Sequence, residues 1–134
     1  MATQTAQATV ATERNDVIRA MQSYIDGVRL GNSTVMRPGF HEAAMIFGYY
    51  PGGVMQQPIQ ALFDWINKNG PSPDLKTEFG DIDVRETIAS VQLEVRDLSG
   101  ALAGTGVRMS DIFLLLRTDA GWKITQKAFH WYQQ

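Results

Sequence analysis

The stretch Asp111-Ile112-Phe113-Leu114-Leu115-Leu116-Arg117-Thr118-Asp119-Ala120-Gly121-Trp122-Lys123-Ile124-Thr125-Gln126-Lys127-Ala128-Phe129-His130 decides how this chain folds. Asp119-Ala120-Gly121 is a turn, so a strand over Gly106 to Arg117 meets an antiparallel return over Trp122 to Tyr132. Ile112 to Leu116 is apolar on both faces of its strand, whereas a half-buried strand alternates. Two covers are open to it. Either the strand is central and covered within the chain, or its outer face is closed by a second copy, back to back, in a symmetric dimer.

Upstream of this hairpin the chain changes character. Ala89, Val91, Leu93 and Val95 alternate with Ser90, Gln92, Glu94 and Arg96, which predicts a strand with one wet face. Lys76 to Glu86 reads as another strand, irregular near Gly80 where the apolar phase shifts. Before these strands the apolar period is helical. Val17, Ile18, Met21, Tyr24, Ile25 and Val28 form one stripe of a helix from about Thr12 to Leu30, stopped by Gly31-Asn32. A short helix follows, with Ser33 as N-cap and Pro38-Gly39 as its end. Ala43 to Tyr49 and Val54 to Gln57 flank the turn Pro51-Gly52-Gly53. Pro58 is expected in the first turn of a third helix, whose buried stripe is Ile59, Leu62, Phe63, Trp65 and Ile66. Helices early and strands late predict an α+β fold. A curved antiparallel sheet wraps around three helices drawn from the N-terminal half. Residues 1–11, rich in Ala, Thr and Gln, are expected as a disordered tail, and 12–134 as one domain.

Composition narrows the function. At 134 residues the chain needs neither metal nor disulfide to fold. It has no cysteine, which removes thiolate metal sites and cysteine nucleophiles and fits a cytoplasmic, reducing location. Twelve basic residues against a net charge of -2, with no basic stripe, argue against nucleic-acid binding. No apolar run reaches the ~20 residues of a membrane span, and the first residues do not resemble a secretory signal. Gly100 to Gly106 lacks the Lys and the following helix of a phosphate loop, and reads as a flexible hairpin. Neither metal ligands nor a cofactor motif are recognisable, so none of either is expected.

Three stretches carry a resemblance to a known family: Tyr24-Ile25-Asp26-Gly27 through Gly31, Phe40-His41-Glu42-Ala43-Ala44-Met45-Ile46, and the closing hairpin from Asp111 to His130 with its Gly121-Trp122-Lys123-Ile124 turn. Together they resemble the nuclear transport factor 2-like superfamily, in its lumazine-binding branch beside the SnoaL-like cyclases and the ketosteroid isomerases. The resemblance implies a cone closed at one end by helices, an internal pocket and frequent dimers through the outer sheet face. Aligned on the isomerases, Tyr24 takes the place of their oxyanion-hole tyrosine and Gly48 that of their carboxylate base. Without a base at Gly48, steroid isomerisation is not expected.

Asp111 is the acid of most interest, since a carboxylate between Met109 and Phe113 on one strand face must be paired or protonated. A two-residue Ala120-Gly121 hairpin would set it opposite His130; Lys127, which the family pattern also carries, is the alternative partner. The plainer reading is a structural tie between strands. His41 and His130 are the side chains with ordinary pKa values near neutrality, hence the acid–base candidates beside Asp111. His41 is equally a strand-start residue bonded to backbone, and His130 equally core. Tyr24, Phe47, Tyr49, Trp65, Phe113 and Lys127 are candidate ligand-binding residues, with ordinary packing as the alternative for each. Three functions follow: a protein binding a small apolar or aromatic molecule; a cofactor-independent SnoaL-like isomerase, cyclase or hydrolase using an Asp/His pair; or a dimeric structural or interaction module.

Overall fold

A computed structural model describes the backbone of residues 2–98 and 106–132, and the side chains of these from residue 11 onward. Among the described residues the chain forms α1 (Ala2–Leu30), α2 (Ser33–Met36), a 3-10 turn (Arg37–Gly39), β1 (Phe40–Tyr50), β2 (Gly53–Pro58) and α3 (Gln60–Asn69). Four strands follow: β3 (Lys76–Arg85), β4 (Ile88–Arg96), β5 (Arg108–Thr118) and β6 (Gly121–Tyr132). Most of the expected hairpin over Gly100 to Gly106 lies outside the described residues.

The strands make one sheet in the order β2-β1-β6-β5-β4-β3. It is curved and does not close. It is also mixed: every neighbouring pair is antiparallel except β1 and β6, which run parallel. The curved sheet is antiparallel as expected except for this one pair. Strands far apart in the chain can pair parallel because the long connection between them imposes no hairpin.

Helix α1 lays Val17, Met21, Tyr24, Ile25 and Val28 against the concave face, all buried. It begins well before the expected Thr12, running through the stretch read as a disordered tail, where no Gly or Pro interrupts a composition rich in Ala and Gln. Gly31, at φ 65°, ends it, and a Cβ at that position would collide with the backbone of Gly70 and Pro71 just beyond α3. The N-cap of α2 is Asn32 rather than Ser33: the Asn32 side chain accepts from the Thr34 N–H at 2.9 Å. Pro58 closes β2 instead of opening α3. The next residue, Ile59, still donates its N–H to the Ala44 carbonyl at 2.9 Å, so the chain leaves the sheet only afterwards.

On the concave face Ala89, Val91, Leu93, Val95, Phe113 and Leu115 are buried under the helices. On the convex face Ile88, Ile112, Leu114 and Leu116 stay between 39% and 55% exposed, so nothing described within the chain covers the outer half of the Ile112 to Leu116 run. The irregularity near Gly80 is present as a register shift between Phe79 and Ile82. A second shift lies in the closing hairpin. Pairing passes from Leu115↔Ile124 to Leu114↔Gln126 and leaves Thr125 as an extra residue in β6. The Thr125 hydroxyl bonds to the Leu114 carbonyl at 3.2 Å across this bulge.

The hairpin is tied to α1 by Glu13, which accepts from the buried Trp122 indole N–H and from Arg117 at 3.0 Å. Replacing Glu13 leaves that indole N–H without its acceptor, and such orphans are costly. Glu13→Ala is expected to lower stability by about 1–3 kcal/mol in urea denaturation. A change within error would show that the tie contributes nothing.

Candidate functional site

Between the helices and the concave face lies a cavity of about 250 Å³. Tyr24 and Val28 of α1 form one wall, and Leu62, Trp65 and Ile66 of α3 form another. Ile46, Met55, Met109, Phe129 and Trp131 of the sheet make the floor. The lining residues are apolar except that Tyr24, Tyr50, Trp65, Trp131 and Lys127 carry a polar group each. This is the composition of a small-molecule site, apolar with a few placed polar groups. The volume exceeds the ~150 Å³ that admits benzene and falls just under the ~300 Å³ at which drug-sized sites begin.

Lys127 is the most unusual group on that wall, being only 4% exposed. Its Nζ stands 3.6 Å from Oδ1 of Asp111, which is 2% exposed. Neither Asp111 oxygen has a hydrogen-bond partner among the described residues, so the ion pair is what compensates the carboxylate. Three rings surround the amine, with Phe129 at 4.7 Å and Tyr24 and Phe113 each at 5.9 Å from Nζ to ring centre. Burial pushes the Asp111 carboxyl above its ordinary pKa; Lys127 pulls it back, and Glu94 adds to the rise. Burial, and after it the Asp111 charge, pushes the Tyr24 phenol well above its ordinary value, which keeps it a neutral hydroxyl able to donate.

The sheet register explains these positions. Asp111 pairs with Phe129, and Ser110 with His130, so the expected Asp111–His130 pairing is corrected. The turn shifts the register by two residues and a bulge takes one back. The turn residues are Asp119 and Ala120, between the paired Thr118 and Gly121, and the Thr125 bulge then adds one residue. His130 consequently points to the convex face, exposed, with Tyr132 at 4.7 Å and Tyr49 at 6.3 Å between ring centres. There Ser110 Oγ bonds to Glu94 at 2.7 Å and to the Tyr132 hydroxyl at 2.9 Å. His41 is bound locally, its Nδ1 accepting from the Ala43 N–H at 3.0 Å, and it faces a separate depression with Arg37, Phe63 and Pro58. Neither histidine joins Asp111.

Among the aromatic candidates, Tyr24 and Trp65 line the cavity. Phe113 is fully buried, against Tyr24 at 5.1 Å between ring centres, and supports the wall from behind. Phe47 and Tyr49 pair with Ala128 and His130 on the convex face, so neither reaches the cavity. Tyr50, Phe129, Trp131 and the methionines 55 and 109 were not singled out by the sequence. Alternation along β1 could have indicated Tyr50, which shares the face of buried Ile46. Nothing in the sequence announces the bulge that turns Phe129 and Trp131 inward.

Gly48 lies on the concave face of β1 beside Phe129, with which it pairs, and a Cβ built on it would overlap the Phe129 ring. The place where a carboxylate base would stand is thus filled by an aromatic ring that also packs on Lys127.

A helix-capped cone of curved sheet around an apolar cavity is the architecture of the nuclear transport factor 2-like (NTF2-like) superfamily, and this chain is one of its members. Within it, residues 12–130 match the family described as "Putative lumazine-binding", to which the chain belongs. An NTF2-like protein of unknown function from Shewanella baltica is 31% identical, with a TM-score of 0.82 over 92% of this chain and 97% of that one. Another, from Methylobacillus flagellatus, is also 31% identical, with a TM-score of 0.79 over 89% and 91% of the two chains. The aldolase FrzH of Cladobotryum sp is 26% identical over 127 residues, 95% of this chain and 98% of that protein.

Breaking a buried ion pair on one side strands the other charge. Lys127→Met should therefore lower stability by about 3–5 kcal/mol at neutral pH. The lone Asp111 carboxyl would have its folded pKa raised further above its unfolded value. Such a group destabilises above the folded pKa, and the loss fades as pH falls toward the unfolded value. The deficit should accordingly shrink in acid, measured by denaturation at a series of pH values; a deficit constant with pH would show that Asp111 is not the stranded charge.

Proposed function

We propose that this protein binds a small, largely apolar molecule bearing one polar acceptor, a carbonyl group being the best fit. The observation that carries this reading is the cavity wall: it is apolar except for a handful of groups, and the neutral Tyr24 hydroxyl and the Lys127 amine are both donors. A ring stacks between Trp65 and the sheet, while its carbonyl oxygen accepts from Tyr24 or Lys127. No helix among the described residues is long and apolar enough to cross a membrane, and the cysteine-free composition suits a cytoplasmic protein working on a dissolved ligand.

A second reading is that of a cofactor-independent enzyme. Two observations favour it: the Asp111–Lys127 pair at the cavity wall, and the likeness to a protein named as an aldolase, a class that makes or breaks carbon–carbon bonds beside a carbonyl. The pair would be lysine and aspartate, not the aspartate and histidine that the sequence suggested.

We further infer a homodimer. Ile88, Ile112, Leu114 and Leu116 form an uncovered apolar patch on the convex face, suited to the same patch of a second copy. Leu114→Glu is expected to halve the mass found by analytical ultracentrifugation without changing the circular dichroism spectrum; a monomeric native protein would remove the basis for a dimer.

The binding reading is tested by filling the cavity. Ala61 lines it from α3, and Ala61→Phe puts a ring into the space with no loss of helix. Benzyl alcohol should shift the Trp65 and Trp131 indole N–H resonances of the native protein. Its affinity should fall roughly tenfold or more in the variant, a loss of at least ~1.4 kcal/mol. Equal affinity in both proteins would place the ligand elsewhere.

A further inference from the structure

We propose that Lys127 is a nucleophile that condenses with the carbonyl carbon of an aldehyde or ketone in the cavity, forming a protonated imine held against Asp111. The proposal deepens the binding reading above and rests on it. Four observations lead to it. Lys127 lines the cavity yet is almost fully buried, so its amine meets a ligand rather than bulk water. Its described ionic partner is a single carboxylate, Asp111, at 3.6 Å. Both Asp111 oxygens lack hydrogen bonds among the described residues, leaving that carboxylate free to take up and return a proton. The three rings around Nζ exclude water and suit a cation.

The chemistry closes on these groups alone. Lys127 ammonium passes a proton to the Asp111 carboxylate, giving a neutral amine and a carboxylic acid. The amine lone pair attacks the carbonyl carbon and forms a C–N bond, while the C=O π pair moves to oxygen. A proton moves from nitrogen to that oxygen to give a carbinolamine. The Asp111 acid then protonates the hydroxyl, the C–O bond breaks, and water leaves as the nitrogen lone pair forms C=N. The products are an iminium cation, an Asp111 carboxylate and one water. No oxidant, reductant or metal is required.

Charge conservation makes this step suit the site. The pair starts as one cation and one anion and ends the same way, so Asp111 is never stranded in an apolar wall. The iminium keeps one N–H, which points to the oxygen the ammonium faced. Lysines desolvated in apolar pockets are the amines that commonly act as Schiff-base nucleophiles. Tyr24, whose ring centre lies 5.9 Å from Nζ and whose phenol is held neutral by burial, would donate to the carbonyl oxygen as negative charge develops on it.

The test uses the full-length protein with benzaldehyde as probe and sodium cyanoborohydride to reduce any imine to a stable secondary amine. Intact mass spectrometry should show the addition of one benzyl group, and peptide mapping should place it on Lys127. Labelling there should run roughly tenfold faster than at exposed Lys68, as expected of a desolvated, oriented amine. Lys127→Arg keeps a cation beside Asp111 and cannot form an imine, so it should fold and lose the fast label, whereas Lys68→Arg should keep it. Benzyl alcohol binding, followed at the tryptophan indole resonances, separates the two ideas. Binding of the alcohol with labelling confined to exposed lysines overturns the imine and leaves the binding reading standing. Absence of both binding and fast labelling overturns both.

Discussion

One inserted residue, Thr125, sets which side chains of β6 look inward. Before it, Trp122 and Ile124 face the helices; after it, Lys127, Phe129 and Trp131 do. Side chains alternate strictly along a strand, so without the bulge the inward set would be Gln126, Ala128 and His130. The cavity would then hold an amide and an imidazole where it now holds an amine and two large rings. Asp111 would face its wall with no cation to meet it. The bulge and its hydroxyl bond to Leu114 thus underlie both the packing of the cavity floor and its charge pattern.

The buried pair imposes a second constraint. An aspartate and a lysine removed from water attract each other strongly, but the desolvation they suffer is of similar size, so such pairs seldom raise stability on balance. Among the described residues the carboxylate lacks even the hydrogen bonds that ordinarily soften that penalty. A hydrophobic pair of the same volume would pack at least as well in this wall. On the proposed reading the pair is explained by what it would offer a ligand: an amine beside one carboxylate in a mostly apolar cavity. Tyr24, which lines the same cavity, has its phenol kept from ionising by burial.

Much of this was legible before any coordinates. The helical stripe of Val17 to Val28 and the alternation of Ala89 to Val95 carry strong periods, and both appear as read. The double-sided apolar run Ile112 to Leu116 foretold an outer face that the chain leaves uncovered. The misplacements of His130, Phe47 and Tyr49 share one cause. Placing His130 against Asp111, and Phe47 and Tyr49 in the cavity, required knowing strand register, which depends on turn length and on bulges. A single-residue shift in β6 inverts every assignment beyond it. The periodicity of Lys127, Phe129 and Trp131 shows that they share a face; only pairing with β1 and β5 shows which face. The parallel β1–β6 pairing was equally hidden, since it joins segments far apart in the sequence.

Gly48 and Phe129 carry a consequence for how such a site could change over generations. The ring occupies the volume that any side chain at position 48 would need. A mutation giving position 48 a carboxylate is therefore obstructed while Phe129 is present, and the same mutation is accommodated once residue 129 has become small. The reverse order is open: shrinking Phe129 first merely enlarges the cavity and uncovers Lys127. The two positions form an epistatic pair with a permissive first step. A side chain at position 48 therefore requires Phe129 to shift or shrink, at the cost of one of the three rings around Lys127.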